Sequence, residues 1–141
     1  MNKRPAKQPA FLTSMNKERF TFKKSEKLKN QKEIALLFEN GRSFIVYPVR
    51  ITWLMNDGDG SSLIKAAFGV SRKYFRNAVD RNSIKRKMRE IYRLNKSILY
   101  SSAGNHNLSV MFYYVGVKKL PYSTIERAFL SAFDTIMRNK S

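Results

Sequence analysis

The sequence predicts an α+β fold, a single-domain α-β sandwich in which helices pack on a small mixed sheet. Two amphipathic helical patterns, one after Asn30 and one closing the chain, flank short apolar runs of strand length, and the middle of the chain reads strand, helix, strand. That succession implies a β-α-β crossover, for which the default hand is right. A chain of 141 residues with 43% hydrophobic content is long enough for one core with spare chain at its ends.

Residues Met1–Arg19 mix Lys, Arg, Pro, Asn and Ser with Phe11, Leu12 and Met15, and show no period. This is the composition of a flexible basic tail, which leaves residues 20–141 as the expected domain. From Asn30, NQKEIALLFENG places a capping residue three positions before Glu33, then Ile34, Leu37 and Phe38 at helical spacing, and Gly41 as a stop. The following IVYPVRITW alternates, with Ile45, Tyr47, Val49, Ile51 and Trp53 on one face and Pro48, Arg50 and Thr52 on the other. It reads as one strand, and Pro48 places it at an edge or a bulge.

NDGDGSS is turn chemistry, and LIKAAFGVS beyond it is a second apolar run, so the two runs are expected to pair as a hairpin. After a basic loop from Ser71 to Arg76, one long helix is expected from near Ala78 to near Tyr100, followed by Gly104 and the strand LSVMFYYVGV. PYSTIERAFLSAFDTIMR closes the chain. Ser123 and Glu126 read as a capping box, and Ile125, Phe129, Ala132, Phe133 and Ile136 make an apolar stripe for the sheet.

The chain carries 28 Lys+Arg against 10 Asp+Glu, a net charge of +18, in a sequence that is 13% aromatic. Such charge repels itself unless a polyanion neutralises it. Because the basic residues are spread along the chain and not gathered beside a hydrophobic anchor, nucleic acid fits better than a membrane surface. Cys is absent, which removes disulfides, thiolate metal sites and Cys nucleophiles. The longest apolar run, around Val110 to Val117, falls far short of the roughly 20 residues that span a bilayer. With no apolar stretch in the charged amino terminus, the expectation is a soluble, cytoplasmic protein.

The stretch FGVSRKYFRNAVDRNSIKRKMREIYRLNK is the most informative. At about 100° per residue, Ile84, Met88, Ile91, Asn95 and Ile98 cluster on one side of a helix. Arg81, Lys85, Arg89, Arg93 and Lys96, with Asn82 and Arg86 beside them, fill another arc. Like charges three or four residues apart cost a helix about 0.2–0.5 kcal/mol per pair, and only Asp80 and Glu90 offset them here. A cationic ridge of this kind makes sense when phosphates fill it, and Arg adds a planar fork for phosphate oxygens and a face for bases. Asn82 can reach a base edge, a 2′-hydroxyl or a hydrated metal ion, or serve as a hydrogen-bonding group at the helix terminus.

No protein catalytic apparatus is evident. The only His, His106, precedes a strand, and Asp57 and Asp59 sit in a Gly/Ser-rich turn, where loop polarity explains them better than acid–base catalysis or Mg2+ binding.

RNAVDRNSIKRKMRE resembles the signature of the bacterial ribonuclease P protein family, in which Asn-Ala-Val leads into Arg-Asn-x-x-Lys-Arg-x-x-Arg. The matching positions are Asn77, Ala78, Val79, Arg81, Asn82, Lys85, Arg86 and Arg89. The likeness runs from Phe22 to about Arg138, through IALLFENGRSF, FGVSRK and the closing helix. Two positions depart: Arg76 stands where the family usually has Gly, and Ser83 where it has a further Arg.

The resemblance implies that the β-α-β crossover is left-handed, against the general default. It implies a protein subunit that assists a catalytic RNA in endonucleolytic removal of the 5′ leader from precursor tRNA. Its partners are the ribonuclease P RNA and precursor tRNA, with no membrane and no obligate protein partner. Hydrolysis then belongs to the RNA and to Mg2+ held mainly by it, whose required level the protein lowers; no organic cofactor and no catalytic side chain are implied.

Two RNA-facing surfaces follow from the same resemblance. Arg81, Asn82, Lys85, Arg86, Arg89 and Arg93 would face the ribonuclease P RNA. A cleft between the first helix and the sheet would hold the leader with Phe22, Phe38, Arg50, Thr52, Ser71, Arg72 and Lys73, although Thr52 stands where an aromatic residue is often found and Phe38 has core packing as its other reading. Two other classes share parts of the pattern. A ribosomal or other structural RNA-binding protein would have the ridge without the cleft, and a protein-only nuclease would cut with Asp57, Asp59 and a metal.

Overall fold

Asn30 begins the first helix as its sequence context predicts. In the computed structural model its Oδ1 accepts hydrogen bonds from the N–H groups of Lys32 at 2.8 Å and Glu33 at 3.4 Å, serving two donors that the first turn leaves without partners. The structure describes residues 26–56, 64–103 and 106–139, so the expected tail at 1–19, Phe22 and the turn bearing Asp57 and Asp59 lie outside them. Helix α1 (Gln31–Asn40) ends at Gly41, where an added Cβ would come within 2.9 Å of the Trp53 carbonyl oxygen. A side chain at that point would push the helix off the sheet. Asn30→Ala should lower stability by about 0.5–2 kcal/mol, seen as a reduced urea midpoint at constant slope; an unmoved midpoint would mean that water serves these exposed donors equally well.

The run IVYPVRITW is two strands, not one. Pro48 has no N–H to give to a ladder, and at Tyr47–Pro48, whose peptide bond is cis, the chain folds back. Strands β1 (Arg42–Val46) and β2 (Val49–Asn56) pair antiparallel, with Val46 opposite Val49. Val49, Ile51 and Trp53 are buried, whereas Ile45 and Tyr47, expected on the same face, are each 56% exposed. The reversal changes which residues are in phase.

Strand β3 (Ile64–Val70) does not pair with β2 as the turn between them suggested. Both pair instead with β4 (Asn107–Tyr114), β2 antiparallel and β3 parallel, giving the order β1-β2-β4-β3. The physical reason is the composition of β4, which buries Leu108, Val110, Phe112 and Tyr114 in strict alternation and is better hidden between two strands than left at an edge. Outside β3, Lys27 forms a short parallel bridge with Ala66, and the Leu28 N–H donates to the Ala66 carbonyl at 2.9 Å.

Between β3 and β4 the chain crosses over through α2 (Ala78–Asn95) and α3 (Ser97–Ala103). The single helix expected to reach Tyr100 is therefore broken at Lys96. Helix α4 (Tyr122–Arg138) closes the fold, and its predicted stripe of Ile125, Phe129, Ala132, Phe133 and Ile136 is fully buried. Its capping box does not form. The helix starts from Pro121, with no side-chain cap, which puts Ser123 inside the first turn and out of the capping position.

Phe112 anchors the core. Its ring stacks on Phe129 with centroids 4.4 Å apart and on Phe68 at 5.6 Å, while Tyr92 and Phe133 approach it at 5.8 and 6.1 Å. Together with Ile84, Met88 and Ile91 of α2, these rings put α2 and α4 on one face of the sheet. α1 crosses the opposite face, tied to β3 by the Lys65 ammonium, 3.0 Å from the Glu33 carboxylate.

Candidate nucleic-acid interface

Helix α2 opens at Asn77, whose Oδ1 accepts from the Val79 N–H at 2.8 Å. From there the burial of Ile84, Met88, Ile91 and Tyr92 turns the basic positions outward. Asn82, Arg86 and Arg89 are exposed, and Arg81, Lys85 and Arg93 are half-buried. The two acids on this helix are already engaged: Glu90 pairs with Arg93 at 2.8 Å, and Asp80 with Lys119 at 3.0 Å. Glu90 thus offsets one member of the ridge, Arg93, while the ridge as a whole keeps its positive charge.

One of its members also holds the protein together. Arg81 Nη1 donates to the carbonyls of Phe75 at 2.9 Å and Arg76 at 2.8 Å, fastening the basic loop to the start of the helix. Lys96, expected in the same arc, is a correction. It caps the helix with its backbone still in the right-handed helical region, but a carboxylate from far along the chain covers it there, and its ammonium turns inward to both oxygens of Glu26 at 2.9 and 2.8 Å. Tyr100 donates its hydroxyl to the same carboxylate. The two side chains of the ion pair are only 3% and 6% exposed.

That buried pair holds the segment before α1 against α2, and in doing so delivers a cation that the sequence pattern does not show. Lys27 lines, with Arg86, Arg89, Glu90 and Arg93, an open depression of about 320 Å³. No local period connects Lys27 to α2; the Glu26–Lys96 ion pair on one side and the pairing of Lys27 and Leu28 with Ala66 on the other put it there.

The second surface is the sheet face crossed by α1. Register sets Arg50 opposite Tyr113 and Tyr113 opposite Gly69, with Thr52, Met111 and Ala67 in the next row. Arg50 is exposed. Phe38, in the last turn of α1, is 59% exposed, so core packing is not its role. Thr52, on the same face, is 6% exposed and donates its hydroxyl to Ser43 Oγ at 3.3 Å.

Ser71, Arg72 and Lys73 continue directly from β3 at the end of the sheet where Gly69 and Tyr113 lie. The Ser71 N–H donates to the Tyr114 carbonyl at 3.2 Å. Its Oγ accepts from the Lys73 N–H at 3.2 Å, and Lys73 Nζ stands 5.4 Å from the centroid of the Tyr74 ring. Arg72 and Lys73 are exposed. The structure therefore brings Arg50 and the 71–73 loop to one end of this sheet face, on the chain leading into the ridge helix.

Cations along a groove with exposed rings suit an unpaired strand, whose backbone is charged and whose bases need a flat partner. Burial pushes the phenols of Tyr92, Tyr100 and Tyr114 up, and for Tyr100 the bond to Glu26 adds to it, so the fold favours their protonated forms. Among the described residues no group of three or more His, Asp or Glu side chains is placed to hold a metal ion, and no helix is long and apolar enough to cross a membrane.

Comparison with known proteins gives one result. The family model described as Ribonuclease P matches residues 22–137. The ribonuclease P protein component of Porphyromonas gingivalis is 33% identical over 122 residues, covering 85% of this chain and 89% of that protein. Its counterpart in Chlorobium phaeobacteroides is 30% identical over 122 residues, covering 79% and 84%. Among solved structures, the RNase P protein of Staphylococcus aureus superposes with a TM-score of 0.61 at 20% identity, over 79% of this chain and 95% of that one. That of Thermotoga maritima gives 0.58 at 24% identity, over 79% and 97%. At these identities the structures speak for the fold.

Proposed function

The chain belongs to the ribonuclease P protein family, part of an endoribonuclease that processes the 5′ ends of tRNAs, and from that premise we propose that it acts by two contacts with RNA. The α2 ridge, through Asn82, Lys85, Arg86 and Arg89 with Arg81 and Arg93, binds the ribonuclease P RNA. The groove between α1 and the sheet, through Phe38, Arg50 and Ser71–Lys73, holds the single-stranded leader of precursor tRNA, with Thr52 in its floor.

The observation that carries this reading is the charge of α2: outward Lys85, Arg86 and Arg89, with one acid of the helix taken by Lys119 and the other by Arg93 at the ridge's far end. Such a surface gains most from a polyanion that displaces its counterions. The protein contributes screening and position. It lowers repulsion between two RNAs and adds binding energy for the leader, which reduces the Mg2+ the reaction requires. Mg2+ held by the RNA supplies charge stabilisation at the scissile phosphate, and no protein side chain takes part in bond cleavage.

Cleavage of a 5′-extended precursor tRNA at limiting Mg2+ tests this, using the cognate ribonuclease P RNA with protein, without protein, and protein alone. Cleavage only when both are present is the expected result. Tight RNA binding without stimulation would move the chain to a structural RNA-binding role, and turnover by the protein alone would make it a nuclease.

A further inference from the structure

We propose that Tyr113, seated by Gly69 and flanked by Arg50, is the base-stacking platform of this groove and sets its preference for an unpaired nucleobase; this rests on the reading of the groove as the leader site. The alternation of β4 sends Phe112 into the core and Tyr113 to the opposite face, where its side chain is half-buried. On β3 its register partner is Gly69. An added Cβ there would stand 2.8 Å from Tyr113 Cδ1 and 3.1 Å from Cε1, so the ring edge occupies the space that a side chain would fill.

A ring resting against a bare strand backbone is oriented before any ligand arrives. Little rotamer freedom is then lost on stacking, which favours affinity. On the other side, Arg50 is the β2 partner of Tyr113 and is exposed. A cation and a π-face on adjacent strands match one nucleotide, the phosphate on the guanidinium and the base on the ring.

No neighbour in the groove's floor offers the same surface. In the paired rows of β2, β4 and β3, this face carries Arg50, Thr52 and Leu54, then Ser109, Met111 and Tyr113, then Lys65, Ala67 and Gly69. Tyr113 is the aromatic residue among them. Thr52 is closed off by its bond to Ser43, and Phe38 on α1 provides a second ring at the rim.

The test uses the assembled RNA–protein holoenzyme and measures binding of precursor tRNAs carrying either a long single-stranded leader or a one-nucleotide leader. Tyr113→Leu should weaken binding of the long-leader substrate about 5- to 150-fold and leave the one-nucleotide substrate unchanged. Tyr113→Phe should bind like the parent, and Gly69→Ala, which displaces the ring, should fall between them. An abasic residue at the stacked leader position should erase the difference between parent and Tyr113→Leu. If Tyr113→Leu binds the long leader normally while Arg50→Ala binds it weakly, the groove holds the leader without this platform and the proposal fails alone. If neither substitution matters, the groove reading fails with it. Equal weakening of both substrates would show a defect in assembly and would also overturn the assignment.

Discussion

Replacing Lys96 by alanine is expected to destabilise the protein by about 3–5 kcal/mol, because it leaves the buried carboxylate of Glu26 without its counter-charge. With both side chains almost fully enclosed, the lost partner cannot be replaced by bulk water without opening the segment before α1. The double variant Glu26→Gln/Lys96→Met removes both charges together and should recover much of the loss, since an ion pair replaced as a whole often costs little. Urea unfolding reads both results, and a loss below about 1 kcal/mol in Lys96→Ala would mean that solvent already reaches the pair. Alkali should act on the same cluster. The Tyr100 phenol is raised by burial first and by Glu26 second, so the fold favours its neutral form. That contribution is present in full below the unfolded value near ~10, and it is lost as pH climbs from there through the folded pKa.

The second large effect is on RNA. Changing Lys85, Arg86 and Arg89 together to alanine should reduce the slope of log K against log salt for the ribonuclease P RNA by about 2 to 3, at 0.7–0.9 per phosphate contact. All three point away from the core, Lys85 half-buried and the two arginines exposed, so the urea midpoint should barely move. A folded triple variant with the parental slope would exclude phosphate contacts at these positions. Arg81→Ala should behave differently, because its guanidinium also holds the Phe75 and Arg76 carbonyls. Its loss loosens the loop that carries Arg72 and Lys73, and leader binding should suffer along with RNA binding.

Features governed by a local period were readable from the sequence. The cap at Asn30, the stripe of α4 and the two faces of α2 each depend on residues within a turn or two of one another, and each stands in the structure as the spacing implied. Features that depend on distant chain were not readable. The turn signal at 57–60 suggested a hairpin because pairing of neighbours is the commonest solution, yet β4 intervenes from far along the chain. Pro48 signals an edge or a bulge within one strand, and it stands at the reversal between two, beside the edge strand β1. Lys96 fits the cationic arc by spacing, but its partner Glu26 lies 70 residues away along the chain. Tyr113 was overlooked because its significance lies in Gly69, a residue on another strand.

The central position of β4 has a consequence for how the protein is made. Synthesis runs from the amino terminus, so β1, β2, β3 and α2 all leave the ribosome before Asn107–Tyr114. Until then the β1–β2 pair and β3 have no common neighbour, and the apolar side of α2 has no Phe112 or α4 to cover it. For that interval the nascent chain is a basic, half-apolar segment beside a particle built largely of RNA. Its fold closes only after Asn107–Tyr114 has been made, when one strand joins both halves of the sheet at once.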